Sequence, residues 1–112
     1  MIFAIDVGNT NIVFGGVHKN STTAFLCRIS TDTDKTEDEY AVQFKTLIDL
    51  NGCDCHDFEG GIISSVVPQL NHILQKAVEK VIGHTPLIVG PGIKRVWISK
   101  LIILPSSVLT LP

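Results

Sequence analysis

The sequence is short of the features that would send a chain to a membrane, a nucleic acid or the cell exterior. Across its 112 residues no apolar run approaches the roughly 18 residues needed to cross a bilayer, which excludes a helical membrane protein. The N-terminus lacks the basic, then apolar, then small-residue order of a secretory signal, so the expected location is the cytoplasm. Positive charge is not in excess. Lys and Arg number 9 against 11 Asp and Glu, a formal net charge of -2, which removes the electrostatic case for nucleic acid or an anionic membrane as the main partner and leaves a small anion as the better fit. The three cysteines, Cys27, Cys53 and Cys55, are an odd number without framework spacing, so reduced thiols are expected rather than disulfides. Cys53-Asp54-Cys55-His56 brings possible zinc ligands together, but a structural zinc needs a tetrahedron of ligands, usually two spaced pairs, and His18, His72 and His84 form no second pair. A polar loop between a helix and a strand is the expected identity of that stretch.

What is present begins at the front of the chain. An apolar run, Ile2, Phe3, Ala4 and Ile5, delivers Asp6-Val7-Gly8-Asn9-Thr10-Asn11, and a second apolar run, Ile12, Val13 and Phe14, follows at once. This reads as strand, polar turn, strand. Gly8 allows close approach of backbone N–H groups to an anion, and Asn9, Thr10 and Asn11 add amide and hydroxyl donors. Asp6, the acidic residue of the segment, is suited to hold Mg²⁺ through water beside bound phosphates. The same residue types also suit an ordinary hairpin turn, and the residues alone leave both readings open.

Hydrophobic residues make up 45% of the chain, enough for one modest core. Residues 23–30 have the pattern of a third strand, closing an antiparallel meander whose turns are expected at Gly15-Gly16 and at residues 18–21. Thr36-Glu37-Asp38-Glu39 has the form of a capping box, and Tyr40, Phe44, Leu47 and Ile48 recur at helical spacing until Asn51-Gly52. Residues 62–67 form a short apolar run expected of a strand covered on both faces, and Pro68 can open a helix. Leu70, Ile73, Leu74, Ala77, Val78, Val81 and Ile82 then supply a regular helical stripe up to Gly83, and residues 86–89 give a fifth strand. The predicted order βββαβαβ is α/β with a mixed sheet, the order of a ribonuclease H-like half-domain of the actin and sugar-kinase superfamily. Nucleases of that fold need several carboxylates converging on metal ions. Here the strand at 62–67 ends without one, and most other acidic residues before position 60 crowd into the connector, the first helix and the loop after it.

Three segments, Asp6-Val7-Gly8-Asn9-Thr10-Asn11, Ile63-Ser64-Ser65-Val66-Val67-Pro68 and Val89-Gly90-Pro91-Gly92-Ile93-Lys94, resemble in order and spacing the type III pantothenate kinases. That family transfers the ATP γ-phosphoryl group to pantothenate in the first step of coenzyme A synthesis. The resemblance covers residues 1–94, which it marks as an N-terminal phosphate-binding domain. It implies that Asp6, Val7, Gly8, Asn9, Thr10, Asn11, Ile12 and Val13 form the ATP phosphate segment, with Asp6 near Mg²⁺. Ser64 and Ser65 would border the site, and Gly90 and Gly92 would lead into the pantothenate pocket. The residues themselves also allow helix N-capping before Pro68 for the serines and a plain turn for the glycines. The resemblance further implies a two-domain homodimer that needs a monovalent cation, K⁺ or NH₄⁺. Accessory factors named for Bordetella virulence regulation share the fold and the turn motif, so a non-catalytic regulator is the alternative.

Past Lys94 the resemblance stops. The family continues with Thr-Gly-Leu and then a Gly-Ala-Asp segment whose carboxylate is the general base, whereas this chain reads Arg95-Val96-Trp97-Ile98-Ser99-Lys100 and has no Asp or Glu after Glu79. No catalytic residue is therefore assigned. Trp97 followed by Ile98 forces the triplet GAT, Asp, in the shifted frame. Lys94 through Pro112 can be re-read there as T-G-L-D-I-K-I-D-N-P-A-Q-L-G-A-D-L-A, as loss of one A from a run at Lys94 would produce. Residues 95–112 are thus expected to be an out-of-frame tail, with the second domain absent and the chain an inactive fragment; a natural short paralogue and an engineered fragment are the other possibilities.

Overall fold

Alternating β-branched and aromatic residues set the first three strands of the computed structural model, which describes residues 1–20 and 22–89. They are β1 (Ile2–Val7), β2 (Asn11–Val17) and β3 (Thr23–Ser30). Helix α1 (Glu37–Leu50), a single 3₁₀ turn (Cys55–Asp57), β4 (Gly60–Ser65), α2 (Pro68–Ile82) and β5 (Leu87–Val89) follow. The order βββαβαβ is the predicted one. The sheet has five strands in the spatial order β3-β2-β1-β4-β5. β1–β2 and β2–β3 pair antiparallel, while β1–β4 and β4–β5 pair parallel. Parallel neighbours need a crossover, which α1 and α2 supply.

Local chemistry explains where each helix starts and stops. Thr36 caps α1 through a full capping box: its hydroxyl accepts the Glu39 N–H at 3.3 Å, and the Glu39 carboxylate accepts the Thr36 N–H at 3.0 Å. The helix ends at Asn51, followed by Gly52 at φ 73°. Pro68 opens α2 without a side-chain cap, since the N-cap residue is Val67, and Gly83 closes it in the left-handed conformation at φ 77°. N-capping by Ser64 or Ser65 is therefore not what the structure shows. The Ser65 hydroxyl instead donates to the Val67 carbonyl and accepts the Val67 N–H, at 3.1 and 3.0 Å, holding the bend between β4 and α2.

The meander turn expected at Gly15-Gly16 is a correction: both glycines lie inside β2, paired with Ala4 and Phe3 on one side and Leu26 and Phe25 on the other. A Cβ on Gly15 would sit 2.3 Å from the Phe25 carbonyl oxygen, and one on Gly16 would sit 2.8 Å from the Met1 sulfur and from the Phe25 ring. The glycines serve close approach between strands, beside a pairing irregularity at Gly16 and Val17. β4 and β5 are also shifted from the expected 62–67 and 86–89: β4 ends at Ser65, where the chain bends toward Pro68 with the Val66 N–H still donating to the Val7 carbonyl at 3.1 Å, and β5 starts at Leu87.

Both helices pack on one face of the sheet. Phe3, Ile5 and Val7 of β1, Ile12 and Phe14 of β2 and Ile63 of β4 meet Tyr40, Phe44 and Ile48 of α1 and Leu70, Leu74, Ala77 and Val78 of α2, all fully buried. Edge-to-face contacts of Phe3 with Phe14, Phe44 and Phe58, at centroid separations of 5.7, 5.6 and 5.2 Å, anchor the centre. Among the described residues no helix is long and apolar enough to cross a membrane.

Candidate functional site

The turn between β1 and β2 is held by three hydrogen bonds. Gly8 N–H donates to the Asn11 carbonyl at 2.9 Å, closing the loop on itself. From the end of β3, the Thr31 N–H donates to the Thr10 carbonyl at 2.9 Å and the Thr31 hydroxyl to the Gly8 carbonyl at 2.7 Å. The Gly8 amide is thereby committed to the turn, so it is not among the donors offered to a ligand. That leaves Asn9, Thr10 and Asn11, all three exposed, to present their side chains outward.

Side chains alternate across a strand, so the helix-facing set on β1 leaves Ala4 and Asp6 on the opposite face. Register carries that face across the whole sheet. Asp6 is paired with Val13 and with Ser64, Val13 with Arg28, and Ser64 with Val89, so Arg28, Val13, Asp6, Ser64 and Val89 stand in one rank over all five strands. Asp6, Gly8, Asn9, Thr10, Asn11, Val13 and Arg28 line one cavity of about 310 Å³. A larger cavity of about 720 Å³ between β3 and α1 has mostly apolar walls and does not include the turn.

Of the residues singled out in the sequence, Asp6, Gly8, Asn9, Thr10, Asn11 and Val13 meet at this cavity. Val7 and Ile12 do not: both are fully buried in the core beneath the helices and act as the floor timbers of the turn. Ser64 and Ser65 part company, Ser64 facing the Asp6 side and Ser65 the helix side. Gly90 and Gly92 lie outside the described residues, as does the tail from Arg95. Arg28 is the cavity residue that the sequence reading missed. Its signal was the alternation of residues 23–30, which places Arg28 opposite Phe25 and Ile29, but only the strand register shows that this is the face of Asp6.

Asp6 is only 9% exposed, and the neighbouring Ser64 hydroxyl is fully buried without a hydrogen-bond partner among the described residues. A buried carboxylate beside an orphaned hydroxyl oxygen is a donor set that suits a hard, hydrated divalent cation. The other metal-capable group, Asp54, Cys55 and His56, has its ligand atoms within 4.8 Å of one another. Its carboxylate, however, caps the 3₁₀ turn, accepting from the His56 N–H and pairing with His56 Nδ1, each at 2.9 Å, and these bonds hold the Asp54 carboxyl below its usual range. The stretch lies between α1 and β4, as a helix-to-strand connection, with Cys55 turned into the core.

The chain matches the family described as type III pantothenate kinase over residues 2–100. Among curated proteins it is similar to a type III pantothenate kinase of Shouchella clausii, 45% identical over 94 residues, which is 84% of this chain and 37% of that protein. A type III pantothenate kinase of Halalkalibacterium halodurans is 46% identical and one of Moorella thermoacetica 40% identical, over the same lengths and shares. The chain thus spans 37% of the length of these relatives.

Proposed function

Because the chain belongs to the type III pantothenate kinase family, we propose that residues 1–94 form the nucleotide-phosphate side of an ATP-dependent pantothenate kinase, a transferase of coenzyme A biosynthesis. The observation that carries this reading is the convergence of Asp6 and the Asn9-Thr10-Asn11 turn on one polar cavity. Phosphoryl transfer asks a protein mainly to position phosphates and neutralise their charge. In this reading the turn orients the ATP phosphates through its amides and side chains, and Asp6 with Ser64 would hold Mg²⁺. The ion, when bound, supplies neutralisation of the phosphate oxygens. Val7 and Ile12 keep the turn rigid from below, and Thr31 from the side.

Residues 95–112 are proposed to be an out-of-frame tail. Gly90 and Gly92 are proposed to lead toward pantothenate. The base toward the substrate hydroxyl, the K⁺ or NH₄⁺ site and the homodimer contacts are assigned to parts of the whole kinase that the chain's 37% share does not include. Its setting is proposed to be the cytoplasm. The 112-residue chain by itself is proposed to bind Mg-ATP weakly and not to turn over, since no carboxylate follows Glu79. Two measurements on the purified chain test this: ADP release with ATP, pantothenate, Mg²⁺ and K⁺, and thermal protection by Mg-ATP against adenosine. Protection by Mg-ATP alone with no pantothenate-dependent ADP release is expected. Sustained release overturns the proposed inactivity, and equal protection by adenosine overturns the phosphate site.

A further inference from the structure

The polar cavity at the turn contains a cation that the proposed function does not use. Arg28 stands on β3 directly across from Val13, which stands directly across from Asp6. At about 4.8 Å per strand spacing, the backbones of Arg28 and Asp6 are about 10 Å apart with Val13 between them. That separation matches a carboxylate and a guanidinium reaching toward one object from two sides. The object has to sit over Val13, whose short side chain floors the cavity.

Among the described residues nothing else engages the guanidinium. Among the described residues no carboxylate lies within ion-pair distance of it. The acidic groups of α1 that border the adjoining cavity have other partners: Asp38 is held by Lys80, and Glu39 accepts the Thr36 N–H at 3.0 Å. An arginine at the rim of a donor-lined cavity, with no hydrogen-bond or ion-pair partner among the described residues, is suited to bidentate capture of phosphate oxygens. We propose that Arg28 is the cationic contact for the phosphates of the bound nucleotide, with the anion seated over Val13 between Arg28 and Asp6. The proposal rests on the phosphate reading of the cavity and adds to it the residue that neutralises charge from the β3 side.

The test uses the 112-residue chain, with Mg-ATP and adenosine as probes in titration calorimetry. Arg28→Gln, which removes the charge and keeps a polar side chain, is expected to weaken Mg-ATP binding by about 10- to 100-fold, with adenosine affinity unchanged. Arg28→Lys should recover part of the loss, and the fall in Mg-ATP affinity with rising salt should be shallower in Arg28→Gln than in the unsubstituted chain. Thr10→Ala serves as the control for the cavity itself. If Thr10→Ala weakens Mg-ATP binding while Arg28→Gln binds as the unsubstituted chain does, Arg28 is a solvated surface residue and this assignment falls while the phosphate site stands. If the unsubstituted chain binds Mg-ATP no better than adenosine, the phosphate site falls and Arg28 with it.

Discussion

The Ser64 hydroxyl is the most informative single atom on the Asp6 face of the sheet, because it is fully buried beside Asp6 with no hydrogen-bond partner among the described residues. An unsatisfied buried hydroxyl costs on the order of 1–3 kcal/mol, so Ser64→Ala is expected to stabilise the metal-free chain by about 1 kcal/mol in urea denaturation and to reduce the Mg²⁺ dependence of ATP protection. Loss of stability on that substitution would mean that the hydroxyl is already satisfied. Cys27 offers a second residue-scale expectation. Burial pushes its thiol above the ordinary range, the Asn51 side-chain amide at 3.3 Å pulls it back in part, and the neighbouring Cys53 adds to the rise. Iodoacetamide at pH 8 should therefore modify Cys27 more slowly than a free thiol, as followed by mass spectrometry. At this scale the sequence was legible where chemistry is local. Asp6 and the Asn9-Thr10-Asn11 run announced themselves by type and spacing, whereas Arg28 sits in an otherwise unremarked strand and acquires meaning only from a partner 15 positions away, Val13. Asp6 and Ser64, likewise, are joined by parallel register and not by anything adjacent in the chain.

Elements show the same division. Both helices could be read in advance because their punctuation is local: the Thr36 box, Asn51-Gly52, Pro68 and Gly83 all act within a turn of where they stand. Gly15-Gly16 misled because glycine marks turns and close contacts alike, and only the neighbouring strand distinguishes them. The consequence is measurable. Gly15→Ala drives a Cβ into backbone, 2.3 Å from the Phe25 carbonyl oxygen, while Gly16→Ala meets the Met1 sulfur and an aromatic ring that can shift. Gly15→Ala is thus expected to be the more damaging of the two in thermal melts. The connector from β3 to α1 depends on Tyr40, whose hydroxyl donates to the Asp32 carbonyl at 2.6 Å and accepts the Asp32 N–H at 3.0 Å. Tyr40→Phe leaves both backbone groups unpaired and is expected to cost about 1–3 kcal/mol. Burial pushes the Tyr40 phenol above its ordinary value, with the charge of Asp32 adding to the rise and the hydrogen bond to Asp32 opposing it. A raised value means that the fold favours the protonated phenol. Its stabilising share is complete below about pH 10 and declines as pH rises through the folded value, a decline that Tyr40→Phe should lack in alkaline denaturation.

Among the described residues the larger apolar core lies on the helix side of the sheet, with a smaller cluster around Ala4 and Val17 on the other face. Phe44 touches Phe3, Phe14 and Tyr40 at centroid distances of 5.6, 4.9 and 6.0 Å, so it joins α1 to both central strands. Phe44→Ala is expected to cost about 3–5 kcal/mol, a large part of the 5–15 kcal/mol typical of a domain, and to broaden or abolish a cooperative urea transition. The ion pairs of Lys80 with Glu37 and Asp38 link the end of α2 to the start of α1, but all three side chains are at least a third exposed, so the fold should tolerate Lys80→Ala far better than Phe44→Ala. The candidate site lies on the other side, where Asp6, Val13 and Arg28 stand without a described helix above them. Its turn is already fastened from behind, the Thr31 hydroxyl and amide gripping the Gly8 and Thr10 carbonyls. A receptor shaped before its guest arrives has no slow step to wait for. Stopped-flow mixing with a fluorescent nucleotide should give a single exponential whose rate climbs linearly with concentration, and cutting the fastening with Thr31→Val should introduce a second, concentration-independent phase.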